Sequence, residues 1–485
     1  MSEPYLLDGY KPRAFMRAFE DIAHIPHGSG NEAGVARYIM DLAMARGLTP
    51  EPDEHGNVLI RVPASAGCEQ VPPVLFQAHM DMVCAKDPGV AHDFTRDPLE
   101  LYVDGDDVLY ARGTTLGADN AVGVCLMLAL MQEPDFVHPP LELLFTVEEE
   151  SGLIGIRKFD FSKLKARRMV NMDCGDADVM CICCAGVLRC RLVLPLARRA
   201  YAGLKCTLSV DHLVGGHAGL RIGEGHANAV NLMGLILSRL RAVCPLQVER
   251  VDSPTLSGIP TDCTAVVALP AQELEAAQAA AAALQQELRA RYGALDPEIT
   301  ITLTPSGEGA PRVLDGPTAD ALLRLLCGIG YGATHFDEDG VGVITSCCTL
   351  RMVTSEDGLE LCYSIRSAID SEKWEQQKIA LALCESCGAR LEVTDEYTSW
   401  PVRPDSPIQA LCKETYRALF GTEIKIVKSS GTNETGVLVG ALPDMDAMGI
   451  APTGRGAHTP TEHLYLREVE PVWRLFLAML ERMCR

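Results

Sequence analysis

A chain of 485 residues, 47% hydrophobic and 22% charged, is long enough for two or three cores and has the balance of a soluble globular protein. The net charge of −22, from 43 basic and 65 acidic residues, repels phosphate backbones and excludes nucleic acid as a partner. The longest apolar run, Val122 to Met131, falls short of the roughly 18 residues a bilayer requires, so a buried helix and no membrane partner are expected. Met1 to Tyr10 carries Glu3 and Asp8 and has no basic-then-apolar leader. The 19 cysteines, an odd number, are scattered through apolar segments such as Val124-Cys125-Leu126, which reads as reduced thiols of a cytoplasmic protein. The tight group Cys181, Cys183 and Cys184 reads as packing.

In chain order, Pro12 opens a helix with Phe15, Phe19 and Ile22 on one face. Asn31 is the expected cap of a second helix striped by Val35, Tyr38, Ile39 and Leu42, which Gly47 ends. Strand-like runs follow at Val58-Leu59-Ile60, Val74-Leu75-Phe76, Leu143-Leu144-Phe145 and Met169-Val170-Asn171-Met172. Helical stretches separate several of them, which predicts an α/β domain with a mostly parallel sheet flanked by helices. After Asp173 the texture changes. A strand pair is expected from Val179 to Leu196 with a turn at Gly186, then a strand at Lys205 to Val210 and a glycine turn at Gly215-Gly216. Helices from about Ala229 to Val243 and Ala271 to Tyr292 follow, with a strand at Ile299 to Leu303, another at Leu361 to Ile365, a helix from about Glu372 to Cys387 and a strand at Arg390 to Val393. This is the pattern of an inserted α+β domain. The division expected is residues 1–185 and 401–485 for a catalytic domain and 186–400 for the insert, which would act as a lid.

Five motifs carry candidate chemistry, four of them at the C-terminal ends of expected strands or on glycine turns, where open α/β sheets hold their ligands. Along an extended chain His79 and Asp81 share a side, so His79 can bind a metal while Asp81 orients the ring; alone, His-x-Asp fits a structural pair as readily. Asp119, in Gly117-Ala118-Asp119-Asn120, either approaches metal ions from its turn or caps the apolar helix behind it. Glu148-Glu149-Glu150 is a solvated loop or a carboxylate cluster relieved by a cation, one member binding metal and a neighbour acting as general base. Asp173 and the glycine-flanked His458 complete the set. Together they offer two histidines and several carboxylates, a donor set for divalent zinc or manganese.

In this order the motifs resemble those of the co-catalytic zinc peptidases related to aminoacylase and carnosinase. Their wording is most similar to the bacterial aminoacyl-histidine dipeptidase branch: "GTTLGADN", "TVEEESG" and "RGAHTPTE", with "GGHAG" and "IRSAIDS" inside the insert. The resemblance implies a zinc-peptidase catalytic domain, two divalent ions (zinc, with manganese or cobalt as substitutes) and hydrolysis of dipeptides of the Xaa-His type. It implies metal ligands His79, Asp119, Glu150, Asp173 and His458, with Asp119 bridging. Glu149 would be the general base and Asp81 the residue orienting His79. His217 would stabilise the oxyanion and contact substrate, and Arg366 would hold the substrate carboxylate. A homodimer through the lid is also implied.

Two places depart from the pattern. Ser429-Ser430-Gly431-Thr432-Asn433-Glu434-Thr435-Gly436 stands where the branch has His-Ala-Gly-Leu-Glu-Cys-Gly; Gly431 and Glu434 are expected on the substrate side of this loop, and the histidine is absent. Near Cys348-Thr349 no amide is found where the branch carries an asparagine. The readings kept beside dipeptide hydrolysis are an amidohydrolase of N-acyl or N-carbamoyl amino acids and a non-catalytic peptide-binding protein.

Overall fold

Runs that are apolar on both faces belong inside a sheet covered on both sides, and here they form its centre. Every residue of Val74–His79, Leu141–Thr146 and Asp446–Gly449 is buried. These three strands and Arg168–Asn171 run parallel, with Val74–His79 between Leu141–Thr146 and Arg168–Asn171, and Asp446–Gly449 beyond the latter. The computed structural model describes residues 5–485 apart from 134, 135, 257, 308–311, 339, 341 and 357. Within it the complete sheet has eight strands, extended by Val58–Val62 and Pro50–Pro52 on one edge and by Val179–Cys184 and Lys425–Ser429 on the other. The expected α/β fold with a mostly parallel sheet is therefore present.

By contacts the chain divides into two compact units: Met1–Cys184 with Trp400–Lys428 and Asn433–Arg485, and Ala185–Ser399 with Ser429–Thr432. In the first, helices Arg13–Ala23, Ala118–Gln132 and Val469–Met483 pack around the sheet; Phe76 meets Phe476 edge to face, with ring centroids 5.4 Å apart. Val122 to Met131 is buried all round, so its uniform hydrophobicity reflects a position inside the core. No described helix is long and apolar enough to cross a membrane.

The second unit holds an antiparallel four-stranded sheet (Gln247–Asp252, Cys263–Leu269, Leu204–Asp211, Thr300–Gly307) and an antiparallel five-stranded one (Gly332–Phe336, Val343–Thr354, Gly358–Ser367, Gly186–Pro195, Arg390–Tyr397). Helices Ala229–Val243, Leu274–Tyr292, Gly316–Gly328 and Asp370–Ser386 share one core with them. A smaller cluster of Ala218, Ile222, Ile259, Cys348 and Leu350 is separate from that core. None of the nineteen cysteines is in a disulfide.

Two local expectations are corrected. Asn31 does not cap the second helix: Glu32 stands at the cap of Ala33–Ala45, its carboxylate accepting the Gly30 and Glu148 N–H groups, while Asn31 donates to the Pro26 carbonyl. Nor do Val179–Cys184 and Gly186–Pro195 form a hairpin. The chain passes through Ala185 from one sheet to another, and Gly186 is there for a close approach: a Cβ would lie 2.5 Å from the Tyr397 carbonyl oxygen and 2.6 Å from the Ser399 nitrogen. Gly186→Ala is expected to lower the unfolding free energy by about 1–3 kcal/mol, as overpacking against backbone does. Gly316→Ala, whose Cβ meets nothing within 4 Å, serves as the neutral control in the same denaturant titration.

Candidate active site

The strand ends at His79, Thr146 and Asn171 deliver the acidic motifs to one edge of the parallel sheet, where strand carbonyls and side chains leave the hydrogen-bond ladder free to meet a ligand. His79 Nε2 lies 3.2 Å from Asp119 Oδ1 and 3.4 Å from Asp173 Oδ1. His458 Nε2 lies 3.4 Å from Asp119 Oδ2 and 2.7 Å from Glu150 Oε1. Asp119 thus turns one oxygen to each imidazole. Three overlapping sets converge, His79–Asp119–Asp173, Asp119–Glu150–His458 and His79–Glu149–Glu150, each with donor atoms within 4.8 Å of one another.

The backbone presents these groups from strained turns. Glu148 and His458 have φ of 51° and 67°, the left-handed region that non-glycine residues adopt at a cost. Asp81 holds one turn in place. Its carboxylate accepts the N–H groups of Glu149 (3.0 Å) and Glu150 (3.1 Å) and the Ser29 hydroxyl (2.7 Å), and stands 3.4 Å from His79 Nδ1, whose ring also lies 3.1 Å from the Asp81 carbonyl. Burial pushes the Asp81 carboxyl up, but these partners outweigh it and bring it down to about 2. Asp81 therefore stays ionised while it orients the imidazole.

The electrostatics call for cations. Burial, with Asp173 and Glu150 near, drives the Glu149 carboxyl well above the usual carboxylate range; burial and Asp119 raise Asp173 to about 7. Asp119 and Glu150, as acceptors for the ring N–H, carry His458 up to about 11. Burial opposes protonation of His79, yet Asp119, Asp173 and Asp81 together hold its pKa well above the ordinary value. Four carboxylates thus crowd around two imidazoles that they force to be cationic. His458 Nε2 and Glu150 Oε1 stand 2.7 Å apart, closer than His458 Nε2 and Asp119 Oδ2 at 3.4 Å. Two histidines and four carboxylates, of which Asp119 is shared by two of the sets, fit two divalent ions of the zinc or manganese type.

Glu462, four residues after His458, was part of the "RGAHTPTE" motif but had no role assigned to it. Its buried carboxylate accepts the N–H groups of Leu116 (2.8 Å), Gly117 (2.9 Å) and Asp119 (3.1 Å), clamping the turn that carries Asp119 to the turn that carries His458. Glu434 lies near His79, Asp173 and Asp81, whose charges act on it. It opens helix Glu434–Ala441, which Asn433 caps, and its side chain is 1% exposed inside the unit, accepting from Gln77 and from Thr146 Oγ1 (2.6 Å). Gln77 in turn accepts from Asn171 at 2.7 Å, so this polar network lies on the strands that end in the candidate ligands. A helix N-terminus turned toward the sheet sends its first residue inward, which a motif read as a loop conceals.

His217, Arg366 and Gly431 belong to the second unit and form a group of their own. Gly219 and Leu220 donate their N–H groups to His217 Nδ1 (3.2 and 2.9 Å); Nδ1 is therefore an acceptor and the ring proton sits on Nε2. Asp296, fully buried, accepts the N–H groups of Val214 and Ala227, both at 2.7 Å, and fixes the two ends of the loop. Arg366 Nη1 donates to Thr432 Oγ1 at 3.2 Å, and the Gly431 carbonyl accepts from Ala185 N at 2.8 Å. Gly219 is the point of convergence: a Cβ there would stand 2.9 Å from the Ser430 carbonyl oxygen and 3.1 Å from both Arg366 Nη1 and His217 Cε1.

Removing the Glu462 clamp is expected to loosen Asp119: Glu462→Ala should weaken divalent-metal affinity by about 10–100-fold, measured by competition against a chromophoric chelator. Burial raises the Glu434 carboxyl to about 8 from 4.5, so the folded state keeps a proton that the unfolded state releases. Its contribution to stability therefore falls as pH rises between those values. Glu434→Gln should flatten that decline in urea titrations at pH 5 and pH 9 in the metal-free protein, whereas Glu434→Ala, which strands Gln77 and Thr146, should cost about 1–3 kcal/mol at both.

Comparison with known proteins agrees with this geometry. The model of Peptidase family M20/M25/M40 matches residues 75–482. The chain is 33% identical over 479 residues, 98% of each protein, to the cytosol non-specific dipeptidase of Escherichia coli (strain K12). Among solved structures, the aminoacylhistidine dipeptidase from Vibrio alginolyticus is similar with a TM-score of 0.85 and 29% identity, covering 98% of both chains. The aminopeptidase PepT from Bacillus cereus shares the fold alone, with a TM-score of 0.59 and 15% identity over 98% of this chain and 100% of its own. With parallel strands, clustered acids and a family match over most of its length all in agreement, the chain belongs to Peptidase family M20/M25/M40.

Proposed function

We propose that this metal-dependent dipeptidase hydrolyses dipeptides with a free C-terminal carboxylate, Xaa-His among them, with Glu149 as general base. The observation that carries the reading is the pair of triplets sharing Asp119, with Glu149 beside His79 and Glu150. His79, Asp119 and Asp173 would hold one divalent ion, and Asp119, Glu150 and His458 the other, zinc being the ion such donors suit well. Bound there, the ions supply Lewis acidity, lowering the pKa of water toward about 7 and polarising the peptide carbonyl.

The chain's own residues do the rest. Glu149, half-buried beside His79 and Glu150, would accept a proton from the attacking water at one carboxylate oxygen and pass it to the leaving amine. Asp81 keeps Glu149 on its turn through the backbone N–H. His217 donates from Nε2 to the oxygen that becomes negative, the role for which its acceptor Nδ1 prepares it. Arg366 takes the terminal carboxylate of the substrate. Glu434 acts as a support beneath the strands, and Gly431 as part of the loop that meets Arg366 through Thr432.

In this reading the second unit is the lid and the first the catalytic domain. The homodimer implied by family resemblance is retained, as is a cytoplasmic location, which nineteen free thiols and the name of the Escherichia coli relative both favour.

The zinc- or manganese-loaded protein is expected to cleave unblocked dipeptides and to lose activity to a chelator. Glu149→Ala should lower kcat by about a hundredfold or more, the scale of a general base. Turnover confined to N-acetyl amino acids in the same panel would make it a deacylase, and two bound metals without turnover would make it a binding protein.

A further inference from the structure

Alternation along Gly358–Ser367 sends Cys362, Ser364 and Arg366 to one face of the five-stranded sheet. On the neighbouring strand Gly186–Pro195, Val187 pairs with Arg366 and Arg189 with Ser364, so Arg189 shares that face and is a diagonal neighbour of Arg366. Diagonal neighbours on paired strands lie about 7–8 Å apart, within reach of long side chains. On the other side Cys348 pairs with Ser364, and Arg351 with Cys362. Three arginines thus gather around Ser364 and Cys362.

None of Arg189, Arg351 and Arg366 has a carboxylate at ion-pair distance among the described residues. Arg191, two residues along, shows the usual arrangement, with Glu360 at 2.6 Å and Glu392 at 4.0 Å. Three cations without counter-ions on one sheet face, in a chain of net charge −22, are a marked local exception. Arg366 is 8% exposed and Ser364 2%. Among the described residues Arg366 Nε and Ser364 Oγ are buried with no hydrogen-bond partner, and Arg366 Nη1 donates to Thr432 Oγ1. Burial first, and then the Arg189 charge, bring Arg366 down to about 10, so it still holds its proton at neutral pH while bearing the repulsion of its neighbour. A buried guanidinium with idle donors is costly unless an anion comes to it. One terminal carboxylate answers Arg366; Arg189 and the Ser364 hydroxyl are left for a second.

We propose that Arg189, Ser364 and Arg366 form a two-carboxylate site that favours dipeptides whose C-terminal residue is aspartate or glutamate, Arg366 binding the terminal carboxylate and Arg189 the side-chain carboxylate. The inference rests on the assignment of Arg366 to the substrate carboxylate made above. Arg351, on the outer side of Cys362, adds positive potential without a direct contact. Glutamine is the discriminating control, because it has the shape of glutamate without the charge.

The experiment uses the metal-loaded full chain, comparing Ala-Glu with Ala-Gln in steady-state kinetics and free L-glutamate with L-glutamine by calorimetry. A charge-assisted contact predicts a kcat/KM ratio of about tenfold or more in favour of Ala-Glu, expressed in KM, and tighter binding of glutamate by a similar factor. Arg189→Gln should bring both ratios toward one, Arg189→Lys should retain part of each, and added salt should reduce them. A wild-type ratio at or below one, or a ratio that survives Arg189→Gln in a folded variant, overturns the proposal. Cleavage of both dipeptides without discrimination removes the two-carboxylate site and keeps the dipeptidase reading. Tighter glutamate binding with no cleavage of either removes that reading and keeps the site.

Discussion

The constraint from which the rest follows is the crowding of Asp119, Glu149, Glu150 and Asp173 around two imidazoles at the ends of parallel strands. Like charges this close are tolerated only beside positive charge, and burial multiplies the penalty. Without metal the site answers by protonating His79 and His458 and by raising Asp173 and Glu149. Two divalent ions would answer it better, since they satisfy several carboxylates at once.

Such a site cannot hold itself together, and much of the surrounding polar structure serves to restrain it. Asp81 fixes the Glu149–Glu150 turn and the His79 ring together. Glu462 fixes the Asp119 turn from a position more than three hundred residues away in the chain. Glu434, Gln77, Thr146 and Asn171 fill the strands beneath with a network in which one carboxyl stays protonated. Charge is held at the rim, and neutral hydrogen bonds are kept below it. In the second unit His217 accepts two backbone N–H groups at Nδ1, and Arg189 and Arg366 share one face of the five-stranded sheet.

Much of this was legible in order along the chain. Continuous apolar runs such as Val74-Leu75-Phe76 mark strands covered on both faces, and the acids follow them because a parallel sheet offers its ligands at strand ends. The uniform hydrophobicity of Val122 to Met131 marked a helix inside the core. Gly186 misled because a glycine required by a close backbone approach looks the same in sequence as one that makes a turn. The burial of Glu434 was not legible for a related reason: a helix that starts at the motif turns its first side chain inward, and no local pattern records which way a helix enters.

By itself the sequence determined the fold class, the order of the acidic motifs and the family, because these depend on local periodicity and on residue types at short spacing. Only the tertiary structure decided which oxygen of Asp119 faces which imidazole, that Glu462 clamps the turn before it, that His217 carries its proton on Nε2 and that Arg189 stands beside Arg366. Each of these joins residues far apart in the chain or depends on the direction of a single hydrogen bond. Their energies come from distances of a few ångströms that chain order does not encode.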